Sequence, residues 1–184
     1  MAGDARDRMI AGAVRLLAAR GLQATSFSEV VAATGAPRGS IYHHFPDGKD
    51  QLVAEAVDLA GAHAIGLLDT VAGKPADEVA AFFLGMWREL LVRSQLGAGC
   101  AVLAVTVATD SPDLLAHTAS VFRAWRSRLA QLLADGGLDD AESFAAILIA
   151  SSEGAVVLAR AEQDLAPFDL VSGELLRQVR ERLG

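Results

Sequence analysis

Pro37, Pro46, Pro75, Pro112 and Pro167 cut a largely helix-forming chain into short segments. Inside a helix a proline removes a hydrogen bond and clashes with the preceding turn, whereas in the first turn it is tolerated. All five are therefore expected at helix starts or in connections. The sequence around them holds 36 alanines and 25 leucines among 184 residues. These two lose least on entering a helix, and few β-branched or aromatic runs argue for strands. The fold class that follows is all-α.

Apolar spacing of three and four residues places the helices. Ile10, Val14 and Leu17 stripe a first helix over roughly residues 4–19, which Gly21 can end in a left-handed conformation. Ser26 followed by Glu29 is a capping-box pattern for a second helix, with Phe27, Val30 and Val31 as its apolar residues and Gly35 at its close. Pro37 opens a very short third helix reaching about His44, and Pro46, Asp47 and Gly48 break the chain again. A long helix, about 35 Å at 1.5 Å per residue, runs from Lys49 to about Val71. Later helices run from Pro75 to about Leu96, over about 100–109, from Ser111 and Pro112 to about Ala134, over about 139–164, and from Pro167 to about Leu183. About nine helices result, with domains expected at residues 1–48 and 49–184.

Composition narrows the function. A single cysteine, Cys100, excludes an intramolecular disulfide and any multi-cysteine metal site, and fits a reducing, cytoplasmic setting. The opening MAGDARDRMI alternates acids with arginines and is not expected to be a signal peptide. Residues 98–108 are about half of what a membrane span needs, and the apolar run over 144–159 is interrupted by Ser151, Ser152 and Glu153, so no membrane association is expected. His43, His44, His63 and His117 form no ligand set, and Asp113 with His117 reads as a surface pair on one helix. There is no nucleophile elbow, zincin motif or phosphate-binding glycine loop. No enzyme activity, cofactor or metal is expected. With 16 basic against 23 acidic side chains, a net charge of -7 also counts against nucleic acid when averaged over the chain.

The third helix carries the chemistry. A tight turn at Thr34, Gly35 and Ala36 separates it from the second, the layout of a helix-turn-helix, whose second helix enters the major groove. Glycine-containing turns between short helices occur in any all-α protein, so on the turn alone a purely structural role stands level with DNA binding. At about 100° per residue, Pro37, Ile41, His44 and Phe45 fall on one side and Gly39, Ser40, Tyr42 and His43 on the other, with Arg38 at the flank. The second side offers a hydroxyl, a phenol, an imidazole and an arginine around a glycine, which lets backbone approach DNA without a Cβ between them. Lys49, with the free N–H groups of the long helix, is a candidate phosphate clamp.

The stretch TSFSEVVAATGAPRGSIYHHFPDGKDQL resembles the DNA-binding motif of the TetR family of bacterial repressors, over roughly residues 10–57. The positions that carry the likeness include Thr25, Ser26, Gly35, Arg38, Gly39, Ser40, Ile41, Tyr42, His43, His44, Phe45 and Lys49. The wording GAPRGSIYHHFPDGKDQL looks most like the LmrA/YxaF branch. Where the family commonly caps this helix with Ser or Thr, Pro37 follows Ala36, so a fixed φ replaces the hydroxyl cap. The resemblance implies that Arg38 and Gly39 face bases and that Thr25, Ser40, Tyr42, His43 and Lys49 hold phosphates. Arg38 is the first choice for base readout, since arginine to guanine is the commonest specific pairing.

For residues 49–184 the resemblance implies ligand binding and dimerisation. Apolar stripes such as Phe82, Phe83, Met86 and Trp87, or Val121, Phe122, Trp125 and Leu129, most often serve as core. In the resembling family such helices surround a ligand cavity, which makes Phe83, Met86, Trp87, Cys100, Phe122 and Trp125 the candidates for a small hydrophobic effector. Residues 139–164 are apolar nearly all round and ask for burial on two faces. The family pairs its last two helices across a homodimer, so Ile149, Glu153, Val156, Arg160, Leu176 and Val179 are the interface candidates.

Divided along the chain, the charge changes meaning. Residues 1–50 hold 6 basic and 5 acidic side chains, net +1, and residues 51–184 hold 10 and 18, net -8. The acidity belongs to the larger part. The reading is an all-α, cytoplasmic, homodimeric repressor, released from a palindromic double-stranded operator by its effector. The alternative is an all-α small-molecule binding protein or enzyme whose N-terminal part is only structural.

Overall fold

The computed structural model describes residues 2–37 and 39–184, with side chains from Ala5 onward. Among them lie nine helices and no strand: α1 (Ala2–Arg20), α2 (Phe27–Thr34), α3 (Ser40–His44), α4 (Lys49–Asp69), α5 (Ala76–Arg93), α6 (Ala101–Thr106), α7 (Pro112–Asp135), α8 (Ala141–Glu162) and α9 (Ala166–Leu183). Pro112 opens α7, Pro167 sits in the first turn of α9, Pro75 flanks α5, and Pro37 and Pro46 lie in connections. Gly21 and Gly35 end α1 and α2 at φ values of 78° and 66°.

Three boundaries depart from expectation. Helix α3 begins at Ser40 instead of Pro37, because the Pro37 carbonyl accepts both the Ser40 N–H (3.0 Å) and its Oγ–H (2.7 Å), an i to i+3 closure tighter than the helical one. Helix α5 stops at Arg93: Gln95 and Leu96 turn left-handed (φ 51° and 61°), and the Leu96 N–H reaches back to the Leu91 carbonyl at 2.8 Å. Helix α6 is shorter than expected, and Cys100 caps it, its Sγ accepting the Leu103 N–H at 3.3 Å.

The chain divides into two compact units, Met1–His63 with Cys100–Phe122 and Ala64–Gly99 with Arg123–Gly184. In the first, α1 is the hub, packing on α2, α3 and α6. Met9, Ala13, Leu17, Val30, Ile41 and Phe45 are all buried there. α1 and α2 approach so closely that a Cβ on Gly12 would fall 2.4 Å from Thr34 Cγ2. In the second unit α5, α8 and α9 pack on one another, around Phe83, Leu84, Leu91, Phe144, Leu148 and Phe168. By length and composition alone α4 and α8 could cross a membrane. In the fold α8 turns Phe144, Leu148 and Val156 into the core of its own unit, the ordinary use of such a helix.

Candidate nucleic-acid interface

Ser26 starts α2 as its spacing implied, its Oγ accepting the Glu29 N–H at 3.2 Å. Only half of the capping box forms, since the Glu29 carboxylate pairs with Arg20 at 3.1 Å. After the Gly35 turn, α3 is a helix of five residues, far below the length at which a helix holds itself. Tertiary anchors hold it instead. Ile41 and Phe45 are each 1% exposed, and Phe27 of α2 sets its ring edge-on to Tyr42 (5.3 Å) and tilted against Phe45 (6.4 Å). With those side chains turned inward, Tyr42 is 67% exposed and Gly39 and His43 also face solvent. Pro37, expected on the packed side, is exposed, and His44 is half-buried.

The other expected DNA contacts fall out unevenly. Arg38 lies outside the described residues. Gly39 has an ordinary φ of -75°, and a Cβ there would meet nothing within 4 Å, so the fold itself does not require glycine. Ser40 is half-buried with its hydroxyl on the Pro37 carbonyl. Thr25 is 1% exposed and its hydroxyl donates to the Gly21 carbonyl at 2.9 Å. That hydroxyl is used up inside the α1–α2 turn and is not presented to a phosphate. Lys49 is likewise turned inward, its Nζ donating to the Leu22 carbonyl at 2.8 Å and tying the start of α4 to the same turn. Ser28, which sequence reasoning passed over, is exposed at the start of α2 with its Oγ 2.8 Å from Ser26 Oγ. Its signal was the second serine of the SFSE run. His117 pairs with Asp58 of α4 at 2.7 Å and not with Asp113.

Three of the ligand candidates, Phe83, Met86 and Trp87, meet on one side of α5 at the core of the second unit, where Phe83 is buried and the other two pack against it. Trp87 Nε1 is buried with no acceptor among the described residues. Trp125, also in this unit, is buried, while Cys100 and half-buried Phe122 belong to the first unit.

The interface candidates turn mostly toward their own unit. Glu153, Val156 and Val179 are 8%, 2% and 0% exposed within the single chain, so they face its own core. Ile149 and Leu176 pack against that core, and Arg160 donates to the Gly97 carbonyl at 3.1 Å. The face of α8 that points outward carries Ile147, Ala150, Gly154, Val157, Leu158 and Ala161, at helical spacing, and α9 adds Leu170 at 75% exposure.

Comparison with known proteins gives the context of this geometry. Residues 9–56 match the family model described as bacterial regulatory proteins, tetR family. Residues 75–174 match that of the transcriptional regulator LmrA/YxaF-like, C-terminal domain. An uncharacterized HTH-type transcriptional regulator of Mycobacterium tuberculosis is 38% identical over 92% of this chain and 91% of its own length. The HTH-type regulator YxaF of Bacillus subtilis is 28% identical over 98% and 97% of the two chains. In fold, the crystal structure of regulatory protein TetR from Rhodobacter sphaeroides superimposes with a TM-score of 0.84, covering 94% of this chain and 97% of its own at 24% identity.

Proposed function

The chain belongs to the TetR family of bacterial regulatory proteins, whose members are transcriptional regulators and not enzymes, and on that premise we propose that it is a cytoplasmic, homodimeric repressor released from a palindromic operator by a small hydrophobic effector. The observation that carries the DNA half of this reading is the polarity of α3, with Ile41 and Phe45 locked inward while Tyr42, His43 and Gly39 are exposed to solvent. Residues 1–48 are the DNA-binding head and 49–184 the effector and dimerisation part. Arg38 and the backbone at Gly39 meet base edges, Tyr42, His43 and Ser28 take phosphates, and Ser40, its hydroxyl held by the Pro37 carbonyl, fixes the entry to α3. Thr25 and Lys49 act by holding the α1–α2 turn.

The effector reading is supported by the buried Trp87 Nε1–H, a donor that an acceptor on an apolar ligand would satisfy. The dimer reading is supported by the apolar outward face of α8, which a second copy would cover and which a two-fold operator requires. Binding of the effector draws α4 aside, and two recognition helices about 34–36 Å apart no longer match successive major grooves. The test is selection of duplexes from a random-sequence pool by the purified protein. Two-fold symmetric sequences should emerge, retarded in a salt-dependent way, and a pool that stays random after repeated rounds excludes the operator reading.

A further inference from the structure

The far end of α3 is gripped by a polar relay from α1 and α4, and we propose that Arg6, Glu55 and Gln51 are positioning residues that set the placement of the recognition helix on DNA. The inference rests on the reading of α3 as that helix.

Phe45, directly after α3, is the ring on which the helix ends, and Asp47 and Gly48 (φ 87°) turn the chain into α4. The Arg6 guanidinium carbon lies 5.4 Å from the centroid of the Phe45 ring, a cation on an aromatic face. Arg6 Nη2 donates to Glu55 Oε1 at 2.6 Å, joining α1 to α4 across that ring. The same oxygen accepts from Gln51 Nε2 at 3.2 Å. Gln51 Oε1 in turn accepts the Asp47 backbone N–H, also at 3.2 Å. One continuous chain of contacts therefore runs from α1 through α4 to the backbone just beyond α3. A helix of five residues has no rigidity of its own, so its tilt is decided by such anchors.

Charge separates this role from a direct DNA contact. The Arg6 and Glu55 side chains are 37% and 24% exposed, and each offsets the other. The pair brings no net positive charge to a phosphate. Removing it should change where α3 sits and leave the number of neutralised phosphates unchanged. A lost phosphate contact, by contrast, lowers the salt slope on duplex DNA by about 0.9.

The experiment compares the full-length protein with Arg6→Met/Glu55→Gln, which removes the pair at constant net charge, using a palindromic duplex selected by the unmodified protein and a random duplex. Affinity for the selected duplex should fall about five- to twentyfold, the order of one disturbed base contact. Random-duplex affinity and salt slope should stay unchanged, and amide exchange at Asp47 should accelerate. Arg6→Lys, which keeps a cation on the ring and on Glu55, should recover most of the affinity. A salt slope lower by about one makes Arg6 a phosphate ligand and overturns the proposal. Equal losses on both duplexes, or unchanged Asp47 exchange, also overturn it. If the unmodified protein itself fails to discriminate the two duplexes, the recognition-helix reading falls and takes the proposal with it. Unchanged affinity in the variant of a discriminating protein overturns the proposal alone.

Discussion

Gly39 is the residue at which fold and function separate most cleanly. Its φ of -75° suits any residue, and a Cβ would enter open space. Gly39→Ala should therefore leave the melting temperature unchanged or slightly raised, since alanine loses less chain entropy by about 0.4–1 kcal/mol. Operator affinity should nevertheless fall about tenfold, as expected for one disturbed contact at a base edge, read by fluorescence anisotropy. Trp87 gives a second such test. Trp87→Phe removes a buried donor that has no acceptor among the described residues, so stability measured by calorimetry should hold or rise. The affinity of any compound that releases the protein from DNA should fall about tenfold, the worth of a hydrogen bond at the upper end of the neutral range. The sequence made the outward side of α3 legible because residue type and a 100° step suffice there. It did not reveal how Thr25 and Lys49 are anchored, because their partners are the carbonyls of Gly21 and Leu22. Backbone acceptors are the same for every residue type, so no identity in the sequence announces them.

At the scale of elements, helix existence was readable and helix orientation was not. Proline and glycine positions placed α1, α2, α7 and α9 nearly to the residue, since their backbone restrictions are local. Helix α8 shows the limit. Its two apolar sides look alike in sequence, and only packing decides that Val156 turns to the core while Val157 and Leu158 turn out. Leu158→Glu and Val156→Glu should consequently behave differently. The first places a charge on the proposed dimer face, and sedimentation should show a folded monomer. The second buries an unpaired carboxylate in the core of the unit and should lower stability by several kcal/mol. Dissociation by both variants without any loss of helicity would contradict this assignment of faces. The α3 start was misjudged for a related reason. Pro37 is compatible with a first turn, but its carbonyl is captured by Ser40 in a tighter one.

Over the whole molecule, charge and architecture divide the labour. The first 50 residues carry net +1 and the rest net -8, so bulk attraction to DNA is weak and binding must draw on geometry and base contacts. In the proposed dimer two α3 helices, fixed in spacing, read two half-sites at once. Anisotropy titrations of the selected palindrome against the same sequence with five base pairs inserted at its centre test this most directly. Half a helical turn puts the second half-site on the opposite face of the duplex. The insertion should lower affinity about a hundredfold or more, toward that of random DNA, a loss within the usual gap between specific and nonspecific binding. Equal affinity for the palindrome, the inserted duplex and random DNA would contradict the reading of two half-sites at once.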